Sequence, residues 1–245
     1  MTLKAVIFDV DGTLADTEEA HRQAFNATFK EFGLAWYWDI ELYVELLAVA
    51  GGKERLAHYC RCVDPARLAK PDGMAFIEKL HERKTRVYER RVEMGEVPVR
   101  PGVVRLIRQL IEADIRLAIA TTTSRANVDV LLATTLADLP ANCFEVIGAG
   151  EQANAKKPAP DIYRWVLAQL GLPGDACLAI EDSKNGVRAA LGAGIPVLVT
   201  ENSWTGRDDF TGAIAVLPDL EGIGLAHLER WHAQASAPMA SHSPP

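Results

Sequence analysis

A short, near-continuous apolar run at the start of the chain constrains its fold more than any other feature. Residues 3–10 are rich in β-branched and aromatic side chains, as is typical of a strand buried on both faces of a parallel sheet. The turn-forming sequence Asp11-Gly12-Thr13 then interrupts the run. The chain is therefore predicted to begin with a buried strand that ends in a polar turn.

A long segment of different character follows this strand. Between about residues 16 and 93, apolar side chains recur at helical spacing, and no strand pattern is evident. The spacing predicts helices over residues 17–32, 40–49, 54–62 and 73–92. We interpret this segment as a helical module.

Helical and strand patterns alternate in the second half of the chain. The pattern predicts helices over residues 103–113, 127–137, 161–170 and 185–193, and strands over residues 116–120, 145–148, 177–180 and 195–199. This alternation indicates an α/β fold with a doubly wound parallel sheet. We expect an α/β core of residues 1–15 and 97–232, with a helical cap of residues 16–96 inserted after the first strand. Residues 233–245, rich in Ala, Ser and Pro, are predicted to form a disordered tail.

Composition limits the function classes. The 245 residues are 49% hydrophobic and 24% charged, which is ordinary for a globular protein with a sizeable core. A net charge of −7 gives no sign of a nucleic-acid-binding surface. The sequence carries no secretory signal and no apolar run near the ~18 residues of a membrane span, so we expect a cytoplasmic protein without membrane contact, acting as a monomer. The four cysteines lack zinc-site spacing and are interpreted as reduced thiols; they are Cys60, Cys62, Cys143 and Cys177.

Polar residues occupy or follow the predicted carboxyl ends of strands, where open α/β sheets bind ligands. They are Asp9, Asp11, Thr121, Lys157, Glu181 and Asp182. In phosphoryl transfer, one carboxylate can act as the nucleophile and a second acid can protonate the leaving oxygen. Further carboxylates can hold Mg²⁺, while a hydroxyl and a lysine bind phosphate oxygens. Each motif alone also fits a turn, a helix cap or an exposed loop. Their occurrence together, in this order, favours phosphoryl transfer.

On these residues the chain resembles the haloacid dehalogenase (HAD) superfamily of phosphohydrolases, over roughly residues 3–224. The resemblance is carried by Asp9-Val10-Asp11-Gly12-Thr13, by Thr121, by Lys157-Pro158 and by Glu181-Asp182-Ser183 with Gly186. It implies that Asp9 is the nucleophile and that Asp11 is the general acid/base. It further implies that Thr121 and Lys157 hold the phosphoryl group; the adjacent Lys156 is the alternative lysine, and the Lys-Pro spacing of the family favours Lys157. The Mg²⁺ ligands implied are Asp9, Asp11 through its backbone carbonyl, Asp182 and Glu181.

The helical insertion resembles the four-helix cap of the β-phosphoglucomutase-like subgroup. Residues 36–39 with Tyr43, residues 51–55 and residues 81–85 resemble the CbbY-type proteins within it. That resemblance implies a phosphatase that removes the 1-phosphate of xylulose 1,5-bisphosphate, an inhibitory by-product of Rubisco. The small-molecule partner would then be a sugar bisphosphate. The substrate contacts that it implies are Glu18, His21, Tyr43, Gly52, Lys53, Arg55, Lys84 and Thr122.

The cap residues also fit structural roles. Lys53, Arg55 and Lys84 could be solvated helix charges, and Tyr43 could be a core aromatic. However, an acidic protein must supply cations for the second phosphate of a bisphosphate, which favours the binding role. The tryptophans of residues 36–39 are predicted to be packing residues.

Two alternatives stay open at this stage. A sugar phosphomutase would use the same core residues and differ only in whether water or a sugar hydroxyl receives the phosphoryl group. A non-catalytic binding or regulatory protein on the same scaffold is disfavoured because Asp9 and Asp11 are both present. Dehalogenases of the superfamily lack the second of these aspartates, since halide needs no protonation to leave.

Overall fold

The strands and helices follow the predicted alternation. The computed structural model describes residues 2–235. Its strands are β1 (Ala5–Phe8), β2 (Arg116–Ala120), β3 (Val146–Gly148), β4 (Cys177–Glu181), β5 (Val197–Thr200) and β6 (Ala215–Leu217). Its α-helices are α1 (Glu18–Glu31), α2 (Ile40–Leu46), α3 (Gly52–Val63), α4 (Pro65–Leu68), α5 (Gly73–Glu93), α6 (Val103–Glu112), α7 (Arg125–Ala133), α8 (Asp161–Leu170), α9 (Lys184–Gly192) and α10 (Leu225–Ala235).

The six strands form one sheet in the order β3-β2-β1-β4-β5-β6, with every neighbouring pair parallel. The first strand of the chain lies at the centre, between β2 and β4. Helices α1 to α5 are inserted directly after it. The predicted fold class, a doubly wound parallel sheet with a helical insertion after its first strand, is confirmed.

The two faces of the sheet carry side chains of different size. In β1, Val6 and Phe8 belong to one buried cluster, while Ala5 and Ile7 belong to the other. The central strands β2 and β4 follow the same alternation, with alanines or a cysteine on the second face. These small residues let α8 approach closely and bury Tyr163. Burying one large apolar side chain contributes roughly 1.5–3 kcal/mol, so this layered core accounts for much of the stability.

The inserted helices bury an apolar cluster of their own. Phe25 and Phe29 of α1 pack against Trp38, which is fully buried. The amide side chain of Asn26 fixes Trp38 by donating to its carbonyl and accepting from its backbone N–H, both at 2.8 Å. Trp38 is therefore a packing residue, as predicted. The exact boundaries expected for core and cap stay a prediction.

Three elements near the edges of the fold were not predicted. The four-residue helix α4 and the three-residue edge strand β6 are too short to show a clear periodicity. Helix α10 continues to Ala235, three residues into the segment predicted as a disordered tail. The rest of that predicted tail, residues 236–245, lies outside the described residues.

Candidate active site

The carboxyl ends of three neighbouring strands converge at one edge of the sheet. Asp9 follows β1, Thr121 follows β2, and Glu181 is the last residue of β4. Asp182 comes next in the chain and begins the connection to α9. Because parallel strands end at the same edge, residues far apart in sequence are brought together here. The structure thus gathers the predicted core residues at a single place.

Serines next to the predicted site residues cap two helices, as the structural interpretation of their motifs predicted. Ser183 Oγ accepts a hydrogen bond from the N–H of Gly186 at 3.2 Å, at the start of α9. Ser124 Oγ accepts one from the N–H of Asn127 at 3.3 Å, at the start of α7. The caps orient both helices, and the acids before Ser183 remain at the sheet edge.

Lys157 is the cation at the centre of the site. Its buried ammonium donates to Asp9 Oδ1 at 2.6 Å, to Glu181 Oε1 at 2.6 Å and to the carbonyl of Ala120 at 2.8 Å. Burial alone would lower its pKa, but the charges of Asp9 and Glu181 raise the pKa of Lys157 above its ordinary value. The lysine is therefore held as a cation beside Asp9.

Three carboxylates lie close enough to share one metal ion. Asp9, Glu181 and Asp182 each offer an oxygen, and these oxygens lie within 4.8 Å of one another. Burial raises the pKa of Asp9 to about 8, and the negative charge of Glu181 adds to the rise. Burial and the charges of Asp9 and Glu181 raise the pKa of Asp182 well above its usual range. The three acids therefore repel one another strongly.

This acidic cluster fits a divalent cation. Its oxygen ligands are the type that Mg²⁺ prefers. Three carboxylates against the single ammonium of Lys157 leave two negative charges uncompensated when all ionise. In addition, the buried Glu181 Oε2 has no hydrogen-bond partner among residues 2–235. A divalent cation would neutralise the surplus charge.

Asn202 is a site residue that the sequence analysis missed. Its side-chain NH₂ donates to Asp182 Oδ2 at 2.8 Å and to the carbonyl of Gly12 at 3.3 Å. Gly12 itself has φ +75°, and a Cβ there would lie 2.3 Å from Asp182 Oδ2. Only glycine therefore allows the turn after β1 to approach the acid so closely. Asn202 lies just beyond the carboxyl end of β5, and this position was the feature of the sequence that could have identified it as a site residue.

A chain of hydrogen bonds connects Asp11 to the inserted helices. His21 Nε2 lies 3.1 Å from Asp11 Oδ1, and Lys84 Nζ lies 2.6 Å from His21 Nδ1. Burial and the charge of Lys84 lower the pKa of His21, so its ring is neutral near pH 7. The ionised carboxylate of Asp11 can only accept, which assigns the ring proton of His21 to Nε2, facing Asp11, and leaves Nδ1 to accept from Lys84.

This arrangement controls the protonation of Asp11. Burial alone would raise the pKa of Asp11, but the contact with His21 lowers it to about 2. Burial also lowers the pKa of Lys84 to about 7, because its charge is removed from water. His21 is held in place by stacking on Tyr88, with ring centroids 3.9 Å apart. Asp11 is therefore an ionised carboxylate in this structure.

Tyr43 joins two further predicted contact residues. Its hydroxyl donates to Glu18 Oε2 at 2.7 Å and accepts from Arg55 Nη1 at 3.1 Å. Arg55 also donates through Nε to the carbonyl of Leu46 at 3.1 Å. Burial raises the pKa of Tyr43 well above its usual range, so it acts as a neutral hydroxyl. These three side chains come from α1, α2 and α3 and form one hydrogen-bonded group.

A cavity of about 940 Å³ lies between the sheet edge and the inserted helices. The predicted site residues that line it are Asp9, Asp11, Glu18, His21, Gly52, Lys53, Arg55, Lys84, Thr122, Lys157 and Asp182. Three predicted residues, Thr121, Tyr43 and Glu181, lie behind this lining. Thr121 Oγ1 accepts from the backbone N–H of Thr123 at 3.2 Å and so shapes the loop that presents Thr122.

Three other residues of the cavity region were missed, and a fourth, Lys156, was the alternative to Lys157. Tyr163 donates to Glu181 Oε1 at 2.5 Å, and its place in an amphipathic helix suggested only packing. His81 and Trp204 line the cavity from the helical insertion and from the loop after β5. Lys156 donates to the carbonyls of Thr122 and Gly150, at 3.1 and 3.3 Å.

The profile of the haloacid dehalogenase-like hydrolases matches residues 3–194. This match covers more than half of the chain and includes all the acids of the site. The chain therefore belongs to the haloacid dehalogenase-like hydrolase family. Within that family it is a phosphatase, as the following relatives support.

Two CbbY proteins are similar to this chain over most of its length. The chain is 54% identical to the plasmid-encoded CbbY protein of Cupriavidus necator, over 89% of this chain and 86% of that protein. It is 50% identical to CbbY of Rhodobacter capsulatus, over 90% of this chain and 95% of that protein. The predicted resemblance to CbbY-type proteins is confirmed.

Solved structures agree with this placement. CbbY from Rhodobacter sphaeroides in complex with phosphate has a TM-score of 0.85 and 45% identity, covering 92% of this chain and 99% of that one. A mutant of the same protein in complex with xylulose 1,5-bisphosphate has a TM-score of 0.85 and 44% identity, covering 93% and 99%. A β-phosphoglucomutase from Clostridium difficile, 17% identical with a TM-score of 0.78 over 95% of this chain and 98% of that one, shares the fold.

None of the helices between residues 2 and 235 combines the length and apolar character needed to cross a membrane.

Proposed function

We propose that this phosphatase removes the 1-phosphate of xylulose 1,5-bisphosphate, with Asp9 as the nucleophile and Mg²⁺ as the cofactor. The observation that carries the proposal is the position of Asp9, which lines the cavity while bound to Lys157 and grouped with Glu181 and Asp182. The xylulose bisphosphate complex of the Rhodobacter sphaeroides relative supports the choice of substrate. The biological role would be to remove an inhibitory by-product of Rubisco.

In the first half-reaction, a carboxylate oxygen of Asp9 attacks phosphorus. A bond forms between this oxygen and phosphorus while the bond from phosphorus to the sugar oxygen breaks. Asp11, which is ionised in the free protein, takes up a proton as the anionic substrate binds and gives it to the departing oxygen, so the sugar leaves as an alcohol. Lys157 stays beside Asp9 and balances negative charge on the phosphoryl group.

In the second half-reaction, water attacks the aspartyl-phosphate. Asp11, now ionised, accepts the proton of that water while the bond between phosphorus and Asp9 breaks. Phosphate leaves and the Asp9 carboxylate is restored. The hydrogen bond from His21 stabilises the ionised form of Asp11 that this step requires.

The metal would be held by the carboxylates of Asp9, Asp182 and Glu181, with the carbonyl of Asp11 as a further ligand. When bound, Mg²⁺ supplies positive charge that offsets the repulsion between the phosphoryl oxygens and the acids. Thr121 and Thr122 complete the phosphate-binding surface in this proposal. Asn202 keeps Asp182 oriented for its role.

The second phosphate of the substrate would bind on the side of the inserted helices. Lys53 lines the cavity with its side chain 45% exposed, and its contact with Glu78 is long, at 3.8 Å. Its ammonium is thus able to reach an anion in the cavity. Gly52 begins α3, whose first N–H groups favour negative charge. Arg55 and Lys84 add positive charge to the same wall.

The test is phosphate release from xylulose 1,5-bisphosphate with Mg²⁺, beside ribulose 1,5-bisphosphate and glucose 1-phosphate. We expect a strong preference for the xylulose compound. Similar slow release from all three would contradict the proposed substrate while leaving the phosphatase chemistry intact. Isomerisation of the hexose phosphate without phosphate release would instead support the mutase alternative.

A further inference from the structure

The turn after β5 is shaped by the side chain of Asn202. Its Oδ1 accepts from the backbone N–H groups of Trp204 and Thr205, at 2.9 and 3.1 Å. Its backbone carbonyl accepts from the N–H of Gly206 at 2.8 Å. An asparagine that caps its own turn in this way fixes the direction in which the next residues point. Asn202 therefore determines where the indole of Trp204 is placed.

The same amide group also reaches the acidic cluster. Its nitrogen donates to Asp182 Oδ2 at 2.8 Å, while its oxygen holds the turn. The two ends of an amide are chemically different, because the NH₂ donates and the oxygen accepts. Asn202 can therefore satisfy the turn and the carboxylate at once only in this orientation.

Trp204 is the point at which this turn meets the inserted helices. Its half-buried ring packs against their apolar cluster and lines the cavity. It meets the ring of Tyr43 edge-on, with centroids 5.6 Å apart and an interplanar angle of 88°. Edge-to-face pairs of this geometry are favourable and orient both rings.

Tyr43 in turn holds two residues of the cavity wall, Glu18 and Arg55, through its hydroxyl. A second contact between core and insertion lies nearby, where the Asn185 side chain donates to the carbonyl of Ala48 at 3.3 Å. Asn185 and Trp204 thus both contact the α2 region from the core side of the cavity.

We propose that Asn202 and Trp204 are positioning residues. They link the position of the acidic cluster to the packing of the inserted helices over a large substrate. Asn202 links Asp182 to the turn, and Trp204 transmits the position of the turn to Tyr43 and its partners. This inference rests on the proposed function, because it concerns the same reaction site. A purely structural role for Trp204 would instead affect all substrates and the stability alike.

The experiment compares Trp204→Ala, Trp204→Phe and Asn202→Ala with the control Trp231→Phe, which alters a half-buried tryptophan of α10 far along the chain. The kcat/KM is measured on xylulose 1,5-bisphosphate and on 4-nitrophenyl phosphate, a compact monoester. Asn202→Ala should lose activity on both substrates, because Asn202 also orients Asp182. For Trp204→Ala we expect a loss of about tenfold or more on the bisphosphate, because the packing of the inserted helices positions it. The loss on the monoester should be several times smaller, and Trp204→Phe should retain most bisphosphate activity.

A second measurement, backbone hydrogen exchange, needs neither substrate nor added metal. Hydrogen exchange of the backbone amides of α2 should speed up in Trp204→Ala and in Asn202→Ala, and should be unchanged in Trp231→Phe. Equal losses on both substrates in Trp204→Ala, or unchanged exchange in α2 for either variant with a normal melting temperature, would overturn the coupling. If the wild type turned over neither compound, the proposed function would fail, and the exchange measurement would still decide whether Trp204 seats the helices.

Discussion

Lys157 Nζ lies 2.6 Å from Asp9 Oδ1 and equally 2.6 Å from Glu181 Oε1, so one buried ammonium bridges two acids that come from different strands. The bridge explains how a nucleophile and a neighbouring acid stay packed at one sheet edge. It also means that the catalytic machinery and the local stability of the site depend on the same contacts.

Replacing Lys157 should therefore damage both stability and activity. The Lys157→Met variant leaves the buried carboxylates of Asp9 and Glu181 without their cation, which costs about 3–5 kcal/mol for a broken buried pair. Urea unfolding of the metal-free protein measures this loss. The exposed Lys30 offers a control, and Lys30→Met should change the free energy of unfolding little. Equal stability in both variants would contradict the bridging role.

Asp9→Asn should abolish turnover, because an amide cannot take the place of the carboxylate nucleophile. Lys157 keeps Glu181 as its partner, and loss of one charge relieves the repulsion among the three acids, so the melting temperature should stay close to that of the wild type. The exposed pair of Arg125 and Asp129 provides a control, and Asp129→Asn should retain full activity. Phosphate release by Asp9→Asn at a substantial fraction of the wild-type rate would rule out the nucleophile assignment.

Removal of Mg²⁺ with a chelator should stop phosphate release, and added Mg²⁺ should restore it. Binding to the native state should also raise the melting temperature, since a ligand at 100 times its Kd adds about 2.7 kcal/mol of stability. Asp182→Asn removes one carboxylate of the cluster and should reduce this Mg²⁺-dependent rise. If added Mg²⁺ left the melting temperature of the wild type unchanged, this would argue against a metal at these acids.

The acid side of the pH profile should depend on His21. Its contact lowers the pKa of Asp11 to about 2, whereas burial alone would raise it. In His21→Ala the pKa of Asp11 should therefore rise. Since the ionised form accepts a proton from water in the second half-reaction, hydrolysis of the aspartyl-phosphate should then be lost at a higher pH as the solution is acidified. The pH profile of aspartyl-phosphate hydrolysis, followed in a single turnover, measures this shift, and the exposed His58→Ala should leave the profile in place. An unshifted profile in His21→Ala would contradict this control of Asp11.

Lys53→Ala should affect a bisphosphate far more than a small monophosphate. The lysine lines the cavity with no close acid partner beyond the 3.8 Å contact to Glu78 among the described residues, so its ammonium can bind a distal phosphate. A lost charged hydrogen bond of roughly 1.5–3 kcal/mol corresponds to about a tenfold to hundredfold loss in kcat/KM. Lys79→Ala, an exposed lysine of α5, is the matched control. Equal losses on both substrates would exclude Lys53 as a distal ligand.

Local patterns in the sequence were enough to predict much of this protein. The alternating elements, the insertion after β1 and the acids at the strand ends follow from short-range periodicity and from turn residues such as Gly12. The order of the strands in the sheet could not be predicted from local patterns. Strand β6 and helix α10 were not predicted because their apolar patterns are short or weak.

What only the tertiary structure decided are contacts between residues distant in the chain. Asn202 meets Asp182, Tyr163 meets Glu181, and Trp204 meets Tyr43. None of these partners shares a local motif, since each pair forms only when the parallel sheet closes and the inserted helices pack over its edge. The amino-acid sequence by itself thus determined which groups are available for chemistry, whereas packing determined which of them touch and which are held behind the cavity wall.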